Sequence, residues 1–475
     1  MGEPEPDFKP NSPSEAKSMA CGTAPCKSGC FKDEGEGDGF TSAMTSSSYE
    51  TPSHDGDCDC LSICIKCKSN DAMGASAAGD DGRFCYECFR SNLFGKFRSA
   101  ITTNAMISPS DMVLVAFSGG PSSRVSLQFV HEMQCKAQKN FVASRDRSLP
   151  VFGVGVAFVS ECVIHPEIKM AIEDIKLIVS GLAPLAKELH IVPIESVLSS
   201  DSEDGADKLK ELLNAIPDVT GKEDFLLHLQ MLSLQKIALN YGYTKLLLGS
   251  CTSKIACHVI SATVKGQGYS LPADIQYVDA RLGIPVMLPL HDCLDRELKL
   301  LCQLDGLKTT EVLSGHPSGI NGLVSSFVKS LQDENPSRES TIVRTGGKLK
   351  AFDFNRTPEI IDDNGFQKLQ RRLKKFNMKS NNSLSSKFFC PICNSPVERS
   401  DMEGSSTGAF FRSACCSSCQ FQILPHDLLA LERFCSLLPK PMTAQMGAGG
   451  HANRAWLREK IQDCLISNDE DDDAS

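Results

Sequence analysis

The hydrophobic pattern between Asp111 and about Leu304 alternates short apolar runs with longer stretches in which apolar residues recur every three or four positions. A short continuous run is typical of a strand buried on both faces, and the longer repeat is typical of an amphipathic helix. The runs predict strands at residues 113–117, 150–158, 190–194, 245–248 and 284–290. Because helical stretches separate them, we predict an α/β fold with a doubly wound parallel sheet and a ligand crevice at the carboxyl ends of its strands.

The same pattern predicts the helices and the connections between them. Helices are expected over residues 167–189, from Asp224 to Gly242, over residues 254–265 and from residue 292 onward. Asp224 and Ser253 are expected to cap the second and third of these helices, because an Asp or Ser side chain accepts hydrogen bonds from the first free N–H groups. Residues 199–224 are predicted to be a polar insertion. The stretch V-R-T-G-G-K-L-K at 343–350 predicts a hairpin turn, since its G-G-K lacks the spacing of a phosphate-binding P-loop.

A glycine-containing loop follows the first predicted strand and leads into a helix. It reads S-G-G-P-S-S and offers five candidate nucleotide-binding residues: Ser118, Gly119, Gly120, Ser122 and Ser123. A strand, a glycine turn and a helix start together form an anion site, because the first N–H groups of a helix have no partner within it. Neither the Walker A spacing nor G-x-G-x-x-G occurs here. A turn before an ordinary crossover helix is the alternative interpretation.

Cysteine pairs at two places in the chain indicate metal sites. Each C-x2-C pair offers two thiolates, and two pairs complete a tetrahedral zinc site. The predicted zinc ligands are Cys64, Cys67, Cys85 and Cys88 in the first site and Cys390, Cys393, Cys416 and Cys419 in the second. Cys58 and Cys60 are rivals in the first site, and Cys415 is a rival in the second. Buried free thiols are the alternative, and Cys21, Cys26 and Cys30 stay unassigned.

Basic and aromatic residues alternate directly after the first cysteine site. Phe89, Phe94 and Phe97 are interleaved with Arg90, Lys96 and Arg98 on a predicted helix at residues 88–101. Such a mixture can stack on RNA bases and contact phosphates, but the same helix can bury its phenylalanine face on the next domain. A second basic stretch over residues 366–379 is interpreted as a solvated helix face or an RNA contact.

Length and composition limit the classes of protein that remain. The chain has 475 residues, 22 cysteines and a formal net charge of -10, so any nucleic-acid contact has to come from local basic patches. No apolar run approaches the length of a membrane span, and the first residues lack a signal pattern. We therefore expect a soluble cytoplasmic protein without membrane contact, in which paired cysteines bind metal because the cytosol is reducing.

These features divide the chain into six predicted segments. They are a disordered tail at 1–56, a zinc module at 57–108, the α/β domain at 109–332, a linker with a basic helix at 333–386, a second zinc-ribbon-like module at 387–440 and a tail at 441–475.

The order of motifs resembles a known family. The loop S-G-G-P-S-S resembles the pyrophosphatase-type loop (PP-loop), S-G-G-x-D-S, of adenine-nucleotide hydrolase-like enzymes that transfer sulfur to tRNA. Together with F-C-Y-E-C-F, K-F-R, L-L-G-S and C-P-I-C, it resembles the cytoplasmic tRNA 2-thiolation protein 2 family over residues 60 to about 440. The resemblance implies a PP-loop α/β fold between two cysteine-rich modules.

The chain departs from the catalytic relatives at three places. The resemblance implies an aspartate where Ser122 stands, and H-N-x-D-D where residues 250–254 read S-C-T-S-K. Catalytic relatives also carry a C-x-x-C pair after the third strand, whereas residues 195–250 contain no cysteine. Cys251 and Cys257 are the candidate thiols near the crevice, and sulfur transfer needs a thiolate or a cluster there. The missing aspartate also argues against ATP and magnesium in this subunit.

The resemblance implies a role in 2-thiolation of wobble uridine 34. The chain would form a heterodimer with a catalytic homologue, cytoplasmic tRNA 2-thiolation protein 1, which adenylates the tRNA with ATP and takes sulfur from a ubiquitin-like carrier. We expect this subunit to contribute no catalytic residue of its own. A self-sufficient ATP-dependent tRNA thiolase and a zinc-scaffolded adaptor for RNA or protein are the alternatives.

Overall fold

The computed structural model describes residues 63–74, 79–143, 150–199, 202–310, 318–349, 388–397 and 407–444. All of them belong to one compact unit, Cys60–Ser475. The predictions for the N-terminal tail, for the C-terminal tail after residue 444, for the basic helix at 366–379 and for Cys21, Cys26, Cys30, Cys58 and Cys60 lie outside the described residues.

A six-stranded sheet forms the centre of the fold. Its strands are β1 (Met112–Ala116), β2 (Gly153–Ser160), β3 (Glu188–Pro193), β4 (Lys245–Leu247), β5 (Val278–Asp279) and β6 (Val286–Met287). Their order is β3-β2-β1-β4-β6-β5, and every neighbouring pair is parallel except β5 with β6. The chain therefore winds outward from β1 in both directions, as predicted, and the switch point of the sheet lies between the carboxyl ends of the paired strands β1 and β4.

Helices cover both faces of the sheet, and the helices nearest the C-terminus of the chain extend the hydrophobic core. They are α1 (Tyr86–Thr103), α2 (Pro121–Ala143), α3 (Ile168–Ser180), α4 (Ser202–Ala215), α5 (Val219–Asn240), α6 (Thr252–Val264), α7 (Leu271–Asp274), α8 (Asp295–Leu304), α9 (Gly319–Glu334), α10 (Ser337–Gly346), α11 (Thr407–Ala414), α12 (Ser417–Gln422), α13 (Leu428–Leu437) and α14 (Lys440–Ala444). A short antiparallel pair, β7 (Phe388–Phe389) and β8 (Pro396–Val397), precedes α11.

Alternation along β1 explains why the sheet needs helices on both sides. Val113 and Val115 pack in one cluster with residues of α1, α2, α3 and α8. Leu114 points the other way and packs with Leu234 and Ile237 of α5. Successive strand residues face opposite sides of a sheet, so a continuous apolar run requires two covered faces.

The region at 199–224 differs from the predicted polar insertion. It contains α4 and the first turn of α5, and Leu209 and Leu212 of α4 are fully buried. Asp218, not Asp224, caps α5, because its Oδ2 accepts a hydrogen bond from Gly221 N at 2.9 Å. Asp224 lies inside the helix, where its carboxylate binds Lys265 Nζ at 2.8 Å. The prediction failed because acidic residues surround the few apolar positions of α4.

Two further local predictions were wrong. Cys251 occupies the N-cap position of α6, while the Ser253 hydroxyl donates to Glu339 Oε2 at 2.7 Å and accepts from Asp295 N at 3.1 Å. The segment predicted as a hairpin turn begins within α10, which ends at the glycine pair. Glycines mark the end of a helix as readily as a turn, and here Val259 and Ile275 approach Gly346 closely.

Element boundaries account for the remaining differences. The helix expected over residues 167–189 ends at Ser180, and the loop after it leads to β3. The fifth predicted strand is reduced to the two residues of β6, and β5 had no sequence signal because two-residue strands carry no periodicity. Among the described residues, no helix is long and apolar enough to span a membrane.

Candidate metal centres and the loop after the first strand

The first four predicted zinc ligands come together in space. The Sγ atoms of Cys64, Cys67, Cys85 and Cys88 all lie within 4.8 Å of one another, and Cys67 Sγ is 3.8 Å from Cys85 Sγ. The first pair sits on a tight turn that Lys68 closes with a positive φ of 56° and an N–H bond to Cys64 O at 2.9 Å. The second pair begins α1, with Cys85 at its N-cap.

Local electrostatics favour a thiolate at Cys64 and a thiol at Cys88. Burial raises the pKa of Cys64, but N–H groups of Cys67, Cys85 and Lys66 outweigh it and lower that pKa to about 6. Burial and the neighbouring thiols raise the pKa of Cys88 to about 12. Four close thiols cannot all ionise without a counter-charge, which a bound cation supplies.

The second group repeats this construction. The Sγ atoms of Cys390, Cys393, Cys416 and Cys419 again lie within 4.8 Å, with Cys393 Sγ 3.5 Å from Cys416 Sγ. Asn394 closes the turn with a φ of 55° and an N–H bond to Cys390 O at 2.9 Å. Cys416 caps α12, because its sulfur accepts from Cys419 N at 3.5 Å.

Cys415, the rival ligand, is buried beside this group but is not part of it. A hydrogen bond to Cys390 and burial hold its pKa well above the ordinary value, so it stays a thiol. The group of four thus contains Cys416, the C-x2-C member of the adjacent pair, which stands at the start of α12.

Both groups fit a metal ion by the chemistry of their donors. Each presents four sulfur atoms, and neither includes a histidine or carboxylate in the part of the chain that the structure describes. Four thiolates in a tetrahedron suit zinc and also iron–sulfur centres. Each group of four can therefore hold a metal ion.

Two of the aromatic residues after the first site are buried and Phe94 is half-buried against Phe129, so the RNA-stacking interpretation is wrong for Phe89 and Phe97. Phe89 and Phe97 are fully buried, and the rings of Phe94 and Phe97 meet the edge of Phe129 on α2 at centroid distances of 5.2 and 5.3 Å. The alternative, a phenylalanine face buried on the next domain, is confirmed.

Two of the three interleaved basic residues are also engaged within the protein, whereas Arg98 is exposed. Arg90 binds Glu132 and, at 2.9 Å, Asp305, while Lys96 binds Glu297 at 2.7 Å. Their acidic partners lie far away in the sequence, which is why the local pattern alone suggested a surface for phosphate.

The predicted nucleotide-binding loop lies between β1 and α2 and closes on itself. Gly119 has a φ of 83°, a conformation that favours glycine. Ser123 Oγ donates to Gly120 O at 2.9 Å, and Ser118 Oγ lies 3.2 Å from Ser123 Oγ. Ser122, Ser123 and Gly119 are buried, whereas Ser118 reaches the surface.

The loop after β4 packs against this loop. The Ser122 hydroxyl donates to Cys251 Sγ at 3.8 Å, and both residues are buried. Gly249 permits the contact, since a Cβ there would lie 2.8 Å from the Ser123 backbone. The two stretches that depart from the catalytic relatives are therefore in direct contact, as the sheet topology predicts for the ends of β1 and β4.

A third segment, after α8, covers the glycine of the loop. Thr310 N donates to Gly119 O at 3.0 Å, and a side chain on Gly119 would overlap the Thr310 hydroxyl. The Thr310 hydroxyl is buried and has no hydrogen-bond partner among the described residues. This cover was not predicted, because no motif marks the segment after α8.

The thiols around the crevice are held in the protonated form. Burial raises the pKa of Cys251, and it raises that of Cys257 to about 11. Sequence reasoning missed Cys293 and Cys302, which α8 and the segment before it bring to the same region. Cys302 Sγ donates to Pro121 O at 3.8 Å, and burial raises its pKa to about 11. Burial also raises the pKa of Cys293.

The sheet order defines a doubly wound α/β protein with a glycine-containing loop after β1 and two four-cysteine groups. The chain belongs to the cytoplasmic tRNA 2-thiolation protein 2 family. It is 55% identical over 465 residues to the Arabidopsis thaliana protein of that name, covering 95% of this chain and all of the relative. Identity to the Oryza sativa subsp. japonica protein of that name is 50%, covering 86% and 90% of the two chains.

The model of that family matches residues 319–422, which run from α9 through the second cysteine group. Among solved structures, the U34-tRNA thiolase NcsA from Methanococcus maripaludis, solved with its 4Fe–4S cluster, is similar with a TM-score of 0.47 and 16% identity. That similarity covers 65% of this chain and 97% of the thiolase.

Proposed function

We propose that this chain is a non-catalytic subunit of a cytoplasmic complex that thiolates wobble uridine 34 of tRNA. The names of the relatives support the tRNA 2-thiolation role and the cytoplasmic location. In this proposal the chain forms a heterodimer with a catalytic homologue, cytoplasmic tRNA 2-thiolation protein 1. That homologue binds ATP and the tRNA, and takes sulfur from a ubiquitin-like carrier.

The buried contact between Ser122 and Cys251 is the observation that carries the proposal. Ser122 stands where the resemblance implies an aspartate, and Cys251, which packs against it, stands where it implies an asparagine. The two aspartates implied after β4 are replaced by Ser253 and Lys254. Neither the Ser122 hydroxyl nor the Cys251 thiol carries a negative charge that could balance a magnesium ion. Thr310 lies over Gly119, the glycine that would face a phosphate. The high pKa values of Cys251 and Cys257 leave no thiolate at neutral pH to carry sulfur there.

We further propose zinc as the metal in both four-cysteine groups. Donor type and number support it, and so does the repeated construction of a turn closed by a positive-φ residue and a helix start. We also propose the segment boundaries given above, including the modules at 57–108 and 387–440, which limited proteolysis can test.

Reconstituted thiolation tests the proposal. The purified chain, its catalytic homologue and their mixture are each incubated with ATP, magnesium, a sulfur donor and unmodified tRNA, and 2-thiouridine is quantified by mass spectrometry. We expect product only from samples that contain the homologue and most product from the mixture. Product from this chain alone would establish the self-sufficient thiolase instead. A mixture no more active than the homologue alone would leave a scaffolding adaptor.

A further inference from the structure

A cavity of about 490 Å³ lies beside the first turns of α2. Arg124, Gln128 and His131 line it from α2, Leu182 lines it from the end of α3, and Lys308 lines it from the segment after α8. Its volume falls within the range of sites that hold small organic ligands. None of the residues assigned to the metal centres or to the loop at 118–123 lines this cavity.

Arg124 is the unusual residue of this cavity, because it is buried and forms no ion pair among the described residues. Burial lowers its pKa more than the nearby Asp305 raises it. Its exposed fraction is 8%, and the structure gives its guanidinium one hydrogen bond among the described residues, from Nη1 to Gln128 Oε1 at 3.2 Å. Its Nε is buried with no hydrogen-bond partner. A buried cation without a carboxylate is unfavourable, so a ligand anion would complete it.

The carboxylates near Arg124 are already engaged elsewhere. Asp305 binds Arg90 at 2.9 Å and the Tyr86 hydroxyl at 2.8 Å, and Glu132 also binds Arg90. By contrast Arg281, which is buried to a similar extent, has both Asp274 and Asp279 as ion-pair partners. Burial of an arginine alone therefore does not explain the missing partner at Arg124.

The other polar side chains at the cavity are either positively charged or neutral. Lys308 binds Asp174 at 2.6 Å, and both side chains are largely exposed, so the lysine can exchange this partner for a ligand. His131 Nε2 lies 2.9 Å from Ala183 O, and burial lowers the pKa of its ring, so the imidazole is neutral at physiological pH. Lys187, behind this histidine, binds Gln134.

We propose that this cavity binds a phosphomonoester of mononucleotide size. The guanidinium of Arg124, which lines the cavity, contacts the phosphate, Lys308 supplies the second positive charge, and Leu177, Ile178 and Leu182 contact the organic part. A guanidinium can form two parallel hydrogen bonds to phosphate oxygens, so Arg124 adds geometric selectivity to its charge. This site is independent of the thiolation role, since neither tRNA nor a partner chain enters the argument.

Calorimetric titration of the full chain with AMP, inorganic phosphate and adenosine tests the proposal. We expect AMP to bind, phosphate to bind more weakly and adenosine not to bind over the same concentrations. Replacing Arg124→Gln should weaken AMP binding roughly tenfold or more, because a charge-assisted bidentate contact is lost. The AMP affinity of Arg124→Lys should lie between those of the parent chain and Arg124→Gln, because lysine keeps the positive charge but cannot form two parallel hydrogen bonds. Arg433→Gln, at an exposed arginine paired with Glu211, is the matched control and should bind as the parent chain does.

Thermal unfolding separates loss of binding from loss of fold. The unligated Arg124→Gln chain should be at least as stable as the parent, because an unpaired buried charge has been removed. If that variant does not fold, Lys308→Met provides the second test and should also weaken AMP binding. Failure of the parent chain to bind AMP or phosphate at millimolar concentration overturns the proposal, as does equal binding of adenosine or unchanged binding by Arg124→Gln. Tighter binding of a 5′-phosphorylated RNA oligonucleotide than of AMP would keep the phosphomonoester chemistry and assign its source to an RNA end.

Discussion

The Ser122 hydroxyl lies 3.8 Å from Cys251 Sγ, and this buried contact joins the loop after β1 to the loop after β4. In a doubly wound sheet these two loops enclose the position of a bound nucleotide. Here the space between them is filled by two uncharged side chains, while Thr310 covers the adjoining glycine.

Replacing Cys416→Ser should remove one metal ion per chain, whereas Cys415→Ser should remove none. Cys416 belongs to the group of four and Cys415 does not, although both lie against Cys390. Serine is a good N-cap, so the first change removes the sulfur ligand while keeping the start of α12 intact. Elemental mass spectrometry of each purified chain gives both the number and the identity of its bound metal ions. Equal metal loss in both variants would contradict the assignment of ligands. Detection of iron together with visible absorption would identify the metal as iron and contradict zinc.

Replacing Gly119→Ala should destabilise the chain by about 3 kcal/mol, which combines a strained positive φ with overlap on Thr310. Gly242→Ala is the matched control, because Gly242 has a φ of 72° with no atom within 4 Å of an added side chain. It should cost about 1 kcal/mol from strain alone. Chemical denaturation measures both free energies of unfolding.

Adding Thr310→Ala to the glycine variant should restore part of its stability. The threonine hydroxyl is the atom that an alanine at Gly119 would overlap, but the backbone of Thr310 remains 3.1 Å from the added carbon. A double-mutant cycle should therefore show a coupling energy of about 1 kcal/mol. Equal effects of the two glycine substitutions, with no coupling, would mean that the segment after α8 does not cover the loop.

Truncating Phe97→Ala should lower the free energy of unfolding by about 3 to 5 kcal/mol, because a fully buried ring leaves a cavity. Phe421→Ala is the control, since that ring is 74% exposed. Its effect should stay within about 0.5 kcal/mol. Urea titrations of the three chains provide the comparison. A small effect at Phe97 would contradict its burial and would again make α1 a candidate surface for RNA contact.

Alkylation of Cys257 should accelerate about tenfold per pH unit from neutral pH up to about 11, because burial raises its pKa to about 11. A thiolate reacts and a thiol does not, so the rate follows the ionised fraction. Iodoacetamide labelling followed by peptide mass spectrometry measures it, with the urea-unfolded chain as control. In that control the rate should level off above the ordinary thiol pKa of about 8.5. Levelling near the same pH in the folded chain would indicate a reactive thiolate at the crevice.

The sheet was predictable because its signals are local and repeated. Apolar runs in 113–117 and 245–248 fix β1 and β4, and the crossover rule places their ends side by side. The two cysteine groups were predictable for a similar reason, since C-x2-C spacing is set by the turn that holds two ligands. The short edge strand β5 and the helix α4 escaped because their periodicity is weak or masked by acidic residues.

The cover over the loop and the ion pairs of α1 could not be predicted from sequence. Thr310 lies far along the chain from Gly119, and Lys96 finds Glu297 only after α8 has packed beside α1. Such contacts depend on tertiary placement and leave no local pattern. The unpaired guanidinium of Arg124 was missed in the same way, because burial and missing partners are properties of the folded chain.

The most direct test of the non-catalytic role uses a crevice without its thiols. This chain, carrying Cys251→Ala and Cys257→Ala together, is mixed with the catalytic homologue, ATP, magnesium, a sulfur donor and tRNA. Co-elution of the two chains serves as the control for fold and assembly. We expect 2-thiouridine to form at about the parental rate, since a residue outside the reaction leaves transition-state stabilisation unchanged. Loss of product from an intact complex would contradict the account and place sulfur chemistry in this crevice.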